Sequence, residues 1–294
     1  MNIVADVNKC SGGRHPIFGM PVEDLTWGHA LSLVGELSGL AAGQSRIAFL
    51  NANNANIMFT DQDYRAVLAE QLVLADGVGI DIASFVLNGA KFKANLNGTD
   101  FVPALLTYID NGKRVGLIGG APDVLAGAAE NFRRHAPWHD FIAISDGYFD
   151  KHDSGAVLDR LRDAKVDILL VGMGTPLQEK WVHQHIREEH ARLVLCVGAL
   201  FDFVSETVPR APQWMRRMRL EWIYRIACEP SRLWRRYILG GPVFLYRLLR
   251  YRLGDRPAAS PNSPPRTTRH GKPGKALAVA KDIVANGKSA PGRS

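Results

Sequence analysis

Asp167-Ile-Leu-Leu-Val171-Gly172-Met-Gly174-Thr-Pro176-Leu-Gln178-Glu179 is the stretch that decides the fold. Its first half is a short apolar run, the signature of a strand buried on both faces. Two glycines end that run, and a helix is predicted from there through His185. The same order occurs twice more. Val115 to Ile118 leads into Gly119-Gly120-Ala-Pro122 and a helix through Phe132, and Leu193 to Val197 leads into Gly198-Ala-Leu-Phe-Asp202. Strand, glycine turn and helix in repetition predict an α/β protein whose mostly parallel sheet carries helices on both faces. Such sheets bind ligands beyond the carboxyl ends of their strands. Gly119, Gly120, Gly172 and Gly174 are therefore candidate binding positions, although a tight turn alone also demands glycine.

Upstream the pattern is mixed. Residues 1–20 read as a loose polar lead-in, and Glu23 to Leu40 has helical spacing. Ile47 to Leu50 is a short apolar strand, followed at once by Asn51, Asn53, Asn54 and Asn56. Their side-chain amides both donate and accept, which suits sugar hydroxyls or a base edge. A helix is predicted from Thr60 or Asp61 to Leu74, capped at its start. Asp76 then stands before Gly77-Val-Gly79. A carboxylate at a helix end opposes the helix dipole, and work as a general base would explain its retention there. Asn97-Gly98-Thr99-Asp100 opens a further helix, with Thr99 or Asp100 as cap or the helix start as a diphosphate seat. Gln178 and Glu179 occupy the first turn after Pro176, where Gln178 is a candidate for a sugar or base, and Asp202 follows the last glycine turn. Asp61-Gln-Asp63 has the look of a metal-binding pair, but its place at a helix start is explained by capping, so no metal is expected.

Charge divides the chain. Residues 1–209 carry 17 basic and 25 acidic side chains, a net of −8, whereas residues 210–252 carry 11 arginines, no lysine and two glutamates, a net of +9. An acidic body with a basic end points to an anionic partner engaged by that end. Trp214, Trp222, Trp234, Tyr246 and Tyr251 are interleaved with the arginines over three predicted short helices, 214–228, 231–239 and 243–253. Basic aromatic helices of this kind lie on anionic bilayers. The expected organisation is a lead-in (1–20), an α/β core (21–209), a basic helical appendage (210–254) and a disordered tail rich in Pro, Ser and Lys/Arg (255–294). Cys10, Cys196 and Cys228 are an odd number and form no CxxC, which suits a reducing compartment. No secretory signal and no run of about 20 apolar residues is read, which predicts a cytoplasmic protein.

Together these motifs resemble the bacterial WecG/TagA/CpsF glycosyltransferase family over roughly residues 20–253. The resemblance rests on Ala75-Asp76-Gly77-Val-Gly79, Gly98-Thr99-Asp100, Leu117-Ile-Gly119-Gly120-Ala-Pro122, Ser145-Asp146-Gly147-Tyr148-Phe149, the 167–179 stretch, Val197 to Phe203, Pro209-Arg210-Ala-Pro212, Leu220 to Arg225 and Glu229-Pro230-Ser-Arg232. It implies a Rossmann-like core and an inverting, metal-independent transfer from a UDP-sugar to a lipid-linked acceptor, a sugar on polyprenyl diphosphate. It implies no cofactor, and a seat on the anionic inner face of the cell membrane. Asp76 matches the base, and Arg210, Arg225, Arg232 and Arg235 match arginines that complete the site from the appendage. Asn51 stands where a threonine is usual. That departure is similar to the exopolysaccharide branch with a xanthan-type glucosyltransferase, so glucose joins N-acetylmannosamine as an expected donor sugar. Monomer and homodimer both stay open.

Two other classes share features with this chain. A nucleotide-dependent oxidoreductase or epimerase has the same fold class, but Gly119-Gly120-Ala-Pro122 is not GxGxxG, and Tyr148 is followed four residues on by His152, not lysine. A non-catalytic membrane or nucleic-acid binder explains the basic end but not the glycine turns and Asp76, and an acidic body repels nucleic acid.

Overall fold

The computed structural model describes residues 13–212, 215, 221–228, 231 and 234–254. The chain divides into two units, residues 1–257 and 258–294, and every described residue lies in the first. Eight strands form one sheet in the order β1-β2-β4-β3-β8-β7-β5-β6. They are β1 Gly13–Ile17, β2 Met20–Asp24, β3 Ser45–Leu50, β4 Leu72–Ala75, β5 Arg114–Gly119, β6 Asp140–Ser145, β7 Ile168–Gly172 and β8 Leu193–Cys196. Only the β1–β2 pair is antiparallel. The helices are α1 Trp27–Ser38, α2 Ala52–Thr60, α3 Gln62–Ala69, α4 Val78–Asn88, α5 Gly98–Tyr108, α6 Pro122–His135, α7 Gly155–Ala164, α8 Leu177–His185, α9 Leu200–Val204, α10 Glu221–Cys228 and α11 Gly240–Arg252, with a π-helix at Arg235–Leu239.

The strands alternate faces, and both faces are dry. Ile47, Phe49, Leu72, Leu74, Ile168 and Leu170 point into a core with α1, α5, α6 and α9. Ala48, Leu50, Val73 and Ala75 point the other way, against α2, α3, α4 and α11, while Leu169 and Val171 face α7 and α8. Period-two alternation with apolar residues on both sides is what a doubly covered parallel sheet requires.

Four expectations are corrected. The lead-in over 1–20 contains β1, joined to β2 by a two-residue turn at Phe18 and Gly19, both at positive φ, the conformation tight hairpins favour. Pro16 and Pro21 sit opposite one another in this hairpin at the sheet's edge, where proline is tolerated. Because residues 20–24 are strand, the first helix starts at Trp27, with Thr26 as its cap, rather than at Glu23. The helix expected to reach Leu74 stops at Ala69, and Leu72–Ala75 is β4, fully buried between β2 and β3. Four consecutive apolar residues carry no period, so the apolar spacing of the preceding helix ran on into them. At α5 the cap is Asn97, whose side chain accepts from the Asp100 N–H, rather than Thr99 or Asp100.

In the basic region, α10 and the stretch 235–252 are helical. The helix α11 buries Phe244 and Leu248 in the body, where Phe244 and Tyr251 pack edge-on against Phe18. The expected disordered tail, 255–294, lies outside the described residues.

Candidate active site at the carboxyl edge of the sheet

The parallel register places the ends of β3 and β4 side by side, with Leu50 opposite Ala75. The next residues are therefore neighbours. Asn51 donates from Nδ2 to Asp76 Oδ2 at 3.2 Å, and the Asp76 N–H donates to the Leu50 carbonyl. The peptides on either side of Asp76 are held by the loop before α5: Leu96 N–H donates to Ala75 O at 2.9 Å, and Gly77 N–H donates to Asn95 Oδ1 at 2.7 Å. Asp76 thus ends a strand, not a helix. Gly77, at φ +90°, turns the chain straight into α4. The carboxylate therefore precedes a helix N-terminus, the end that favours an anion.

The asparagine cluster splits into separate tasks. Asn51 caps α2, its Oδ1 accepting from the Asn54 N–H at 3.0 Å, so its amide is oriented with Nδ2 toward Asp76. Asn53 lies in the first turn of α2, half-buried. Asn54 is buried and donates to Phe49 O at 3.0 Å. Asn56 donates to Gly240 O and accepts from Arg247, fixing α11 to α2.

Beside Asp76, α5 begins. Asn97 and Asp100 bond reciprocally, and Asp100 Oδ1 takes an ion pair from Arg210 Nη2 at 2.8 Å. Thr99 is half-buried in the same first turn. This brings the first of the predicted arginines to the helix start that the sequence offered as a diphosphate seat. The backbone of Arg225 lies in α10, Arg235 is exposed in the π-helix, 5.4 Å from the Trp234 ring, and Arg232 lies outside the described residues.

The glycine turns of β5, β7 and β8 interlock. A Cβ on Gly119 would lie 2.2 Å from the Gly172 carbonyl oxygen, and one on Gly172 would lie 2.8 Å from Gly198 O. Gly119 and Gly172 are therefore packing positions. Gly120, at φ +71°, accepts from the Gly147 N–H, and Gly174, at φ +83°, faces open space. Gln178 is 2% exposed, and its Oε1 accepts from both Gly174 N–H and Gly198 N–H at 3.2 Å. Its amide is spent on bracing two turns. Asp202, half-buried in the first turn of α9, stands just past the β8 turn.

Asp61 caps α3, accepting from Tyr64 N–H at 2.9 Å, and pairs with Lys180 at 2.7 Å, so its carboxylate is occupied as capping predicted. Residues that sequence reasoning missed are Asn95, Asn97 and Thr175. An asparagine before a helix is a readable cap signal for Asn97; the other two act through contacts that no local pattern encodes.

Residues 15–258 match the model of the Glycosyl transferase WecG/TagA/CpsF family. The chain is 31% identical over 236 residues to a protein of Bacillus spizizenii (strain W23) named N-acetylglucosaminyldiphosphoundecaprenol N-acetyl-beta-D-mannosaminyltransferase, covering 79% of this chain and 89% of that one. A protein of the same name in Bacillus subtilis (strain 168) is 31% identical over 194 residues, covering 65% of this chain and 74% of its own.

Proposed function

The chain belongs to the WecG/TagA/CpsF family and is a glycosyltransferase, and from that premise we propose that it moves a hexose from a UDP-sugar to a sugar on polyprenyl diphosphate. The observation that carries the reading is Asp76, aimed by Asn51 and flanked by the Asn95–Asp100 segment that holds Arg210. Asp76 takes the proton of the acceptor hydroxyl. That oxygen bonds to the anomeric carbon from the face opposite UDP as the carbon–phosphate-oxygen bond breaks, so configuration inverts. Charge developing on the leaving diphosphate is met by Arg210 and the other arginines of 210–235, and by the N–H groups at the start of α5. No divalent metal is needed in this scheme, because guanidinium forks supply the positive charge.

The relatives' names support a lipid-linked N-acetylglucosamine acceptor and an N-acetylmannosamine donor sugar. Asn51 keeps glucose beside N-acetylmannosamine as the sugar transferred, in synthesis of an exopolysaccharide or other surface glycan. We place the enzyme on the cytoplasmic face of the cell membrane. Leu245 and Leu249 on α11 and Leu253 just past its end form an exposed strip, with Arg250 and Arg252 beside it. The helix α4 runs alongside: Gly79 lies by Phe244, and Arg252 donates to Val86 O. It exposes Val78, Ile82 and Phe85 at helical spacing. An apolar strip with cations at its margin suits an anionic bilayer. Among the described residues no helix is long and apolar enough to cross one.

The test is transfer from UDP-glucose and UDP-N-acetylmannosamine to a short-chain polyprenyl-diphosphate N-acetylglucosamine acceptor in EDTA. Asp76→Asn should lower kcat by about 10²–10⁴, the usual contribution of a general base. A folded Asp76→Asn protein with activity near wild type, or a strict need for a divalent cation, would overturn the mechanism.

A further inference from the structure

Behind the site lies a carboxyl that the mechanism above does not use. Glu179, in the first turn of α8, is 1% exposed. Its Oε1 accepts from the Thr175 hydroxyl at 2.8 Å and from Gln178 Nε2 at 2.9 Å, while Oε2 has no hydrogen-bond partner among the described residues. Burying a carboxyl this fully is costly unless its contacts matter, and burial pushes its pKa up.

The contacts lead to Asp76. A threonine hydroxyl has one proton, and here it goes to Glu179, which leaves the oxygen's lone pairs for neighbours. Asn54 Nδ2 donates into that oxygen at 3.5 Å and to Phe49 O at 3.0 Å. The Asn54 N–H donates to Asn51 Oδ1, and Asn51 Nδ2 donates to Asp76 Oδ2. Thr175 and the Asn54 side chain donate toward Glu179, while the Asn54 N–H and the Asn51 amide donate toward Asp76, so Asn54 is the residue that joins the two ends. The chain also ties three strand ends together: the β7 turn at Thr175, β3 and α2 at residues 49–54, and β4 at Asp76.

We propose that Glu179 is a positioning residue for the transfer reaction, holding the Asp76 carboxylate in place through Thr175, Asn54 and Asn51. The inference rests on the reading of Asp76 as the base.

Thr175→Val removes the linking hydroxyl at nearly constant volume, and Glu179→Ala removes the anchor. Both should lower kcat about tenfold, the scale of one lost hydrogen bond, with KM for donor and acceptor within about twofold. Glu179→Gln keeps an acceptor oxygen for Thr175 and should restore kcat to within about threefold of wild type. A purely structural Glu179 predicts something else: fewer folded molecules, but unchanged kcat per folded molecule in Thr175→Val. That result, with Asp76→Asn inactive, overturns the relay and leaves the base standing. An active Asp76→Asn overturns both. A second reading needs no substrate. Side-chain amide exchange of Asn51, followed by NMR, should speed up several-fold in Thr175→Val as the chain loosens; unchanged exchange refutes the relay, whatever sugar the enzyme uses.

Discussion

Replacing Arg210 by alanine should separate stability from catalysis. In the structure Arg210 reaches across 110 residues of sequence to Asp100 at 2.8 Å, at the start of α5, and its guanidinium lies 5.8 Å from the centre of the Phe203 ring. The pair is only partly covered, with side-chain exposures of 29% and 35%. Solvent screens such a pair, so its loss should cost about 0.5 kcal/mol of stability, within the usual range for exposed ion pairs. For a protein of this size that lowers Tm by roughly 1–2 °C. Catalysis should respond on another scale. If the guanidinium meets charge developing on the leaving diphosphate, its removal should cost about 3–4 kcal/mol, or 10²–10³ in kcat. If the diphosphate sits at the start of α5, Asp100 without the Arg210 charge adds repulsion of the same sign. Lysine at 210 retains the charge but not the planar fork, so it should recover only part of the rate. The assay pairs thermal melting with single-turnover transfer at saturating donor. A Tm loss of the predicted size with kcat within threefold of wild type would refute the reasoning, leaving Arg210 as a tie between α5 and the start of the basic region.

Three further outcomes follow from particular contacts. Gly119→Ala should cost at least about 3 kcal/mol in urea unfolding, because its Cβ would sit 2.2 Å from the Gly172 carbonyl oxygen at φ +130°, where neither backbone has room to move; a variant of wild-type stability would mean that the turns are not interlocked. Glu179→Gln should flatten the pH dependence of stability. With its pKa raised in the fold above 4.5 by burial, Glu179 keeps its proton longer in the folded state, so stability falls as pH rises from the unfolded value through the folded one; the advantage of the glutamine protein should grow as pH rises above 4.5, and parallel curves would contradict this. Leu249→Glu, on the exposed face of α11, should weaken sedimentation with phosphatidylglycerol vesicles by about tenfold or more, while Asn53→Ala should leave it unchanged; equal binding by both would remove α11 from the membrane surface.

The parallel half of the sheet was legible because its signal is local. An apolar run closed by glycine and followed by a helix start needs only about 20 residues to be seen, and β5, β7 and β8 each supply one. The strands that escaped notice lack such punctuation. Leu72–Ala75 follows α3 after only Glu70 and Gln71, without a glycine or proline, so its apolar residues extend the helical count instead of ending it. Gly13–Ile17 and Met20–Asp24 contain prolines, which argue against a strand until it is known that β1 is the sheet's edge and that β2 meets β4 at Glu23, away from Pro21. Asp140–Ser145 is an edge strand of mixed burial, and its alternation is too short to stand out.

The site divides along the same line. Asp76 stands out in the sequence because a carboxylate before a pair of glycines is unusual in any setting, although it follows a strand rather than the helix expected there. Glu179 could not be found that way, since a glutamate in a helix's first turn is ordinary and usually solvated. What makes it unusual is burial to 1% beneath three strand ends, and burial is a property of packing between residues far apart in sequence. Gln178 shows the converse. Its amide looked free for a ligand, yet two backbone N–H groups from different turns, at Gly174 and Gly198, take up its oxygen. Polar residues that face a ligand and polar residues that shape the cavity for it are chemically alike. Only the direction in which their hydrogen bonds are spent separates them, and at this sheet edge Asn51 and Asn97 each do both: the oxygen caps a helix, α2 or α5, while the amide nitrogen reaches a carboxylate, Asp76 or Asp100.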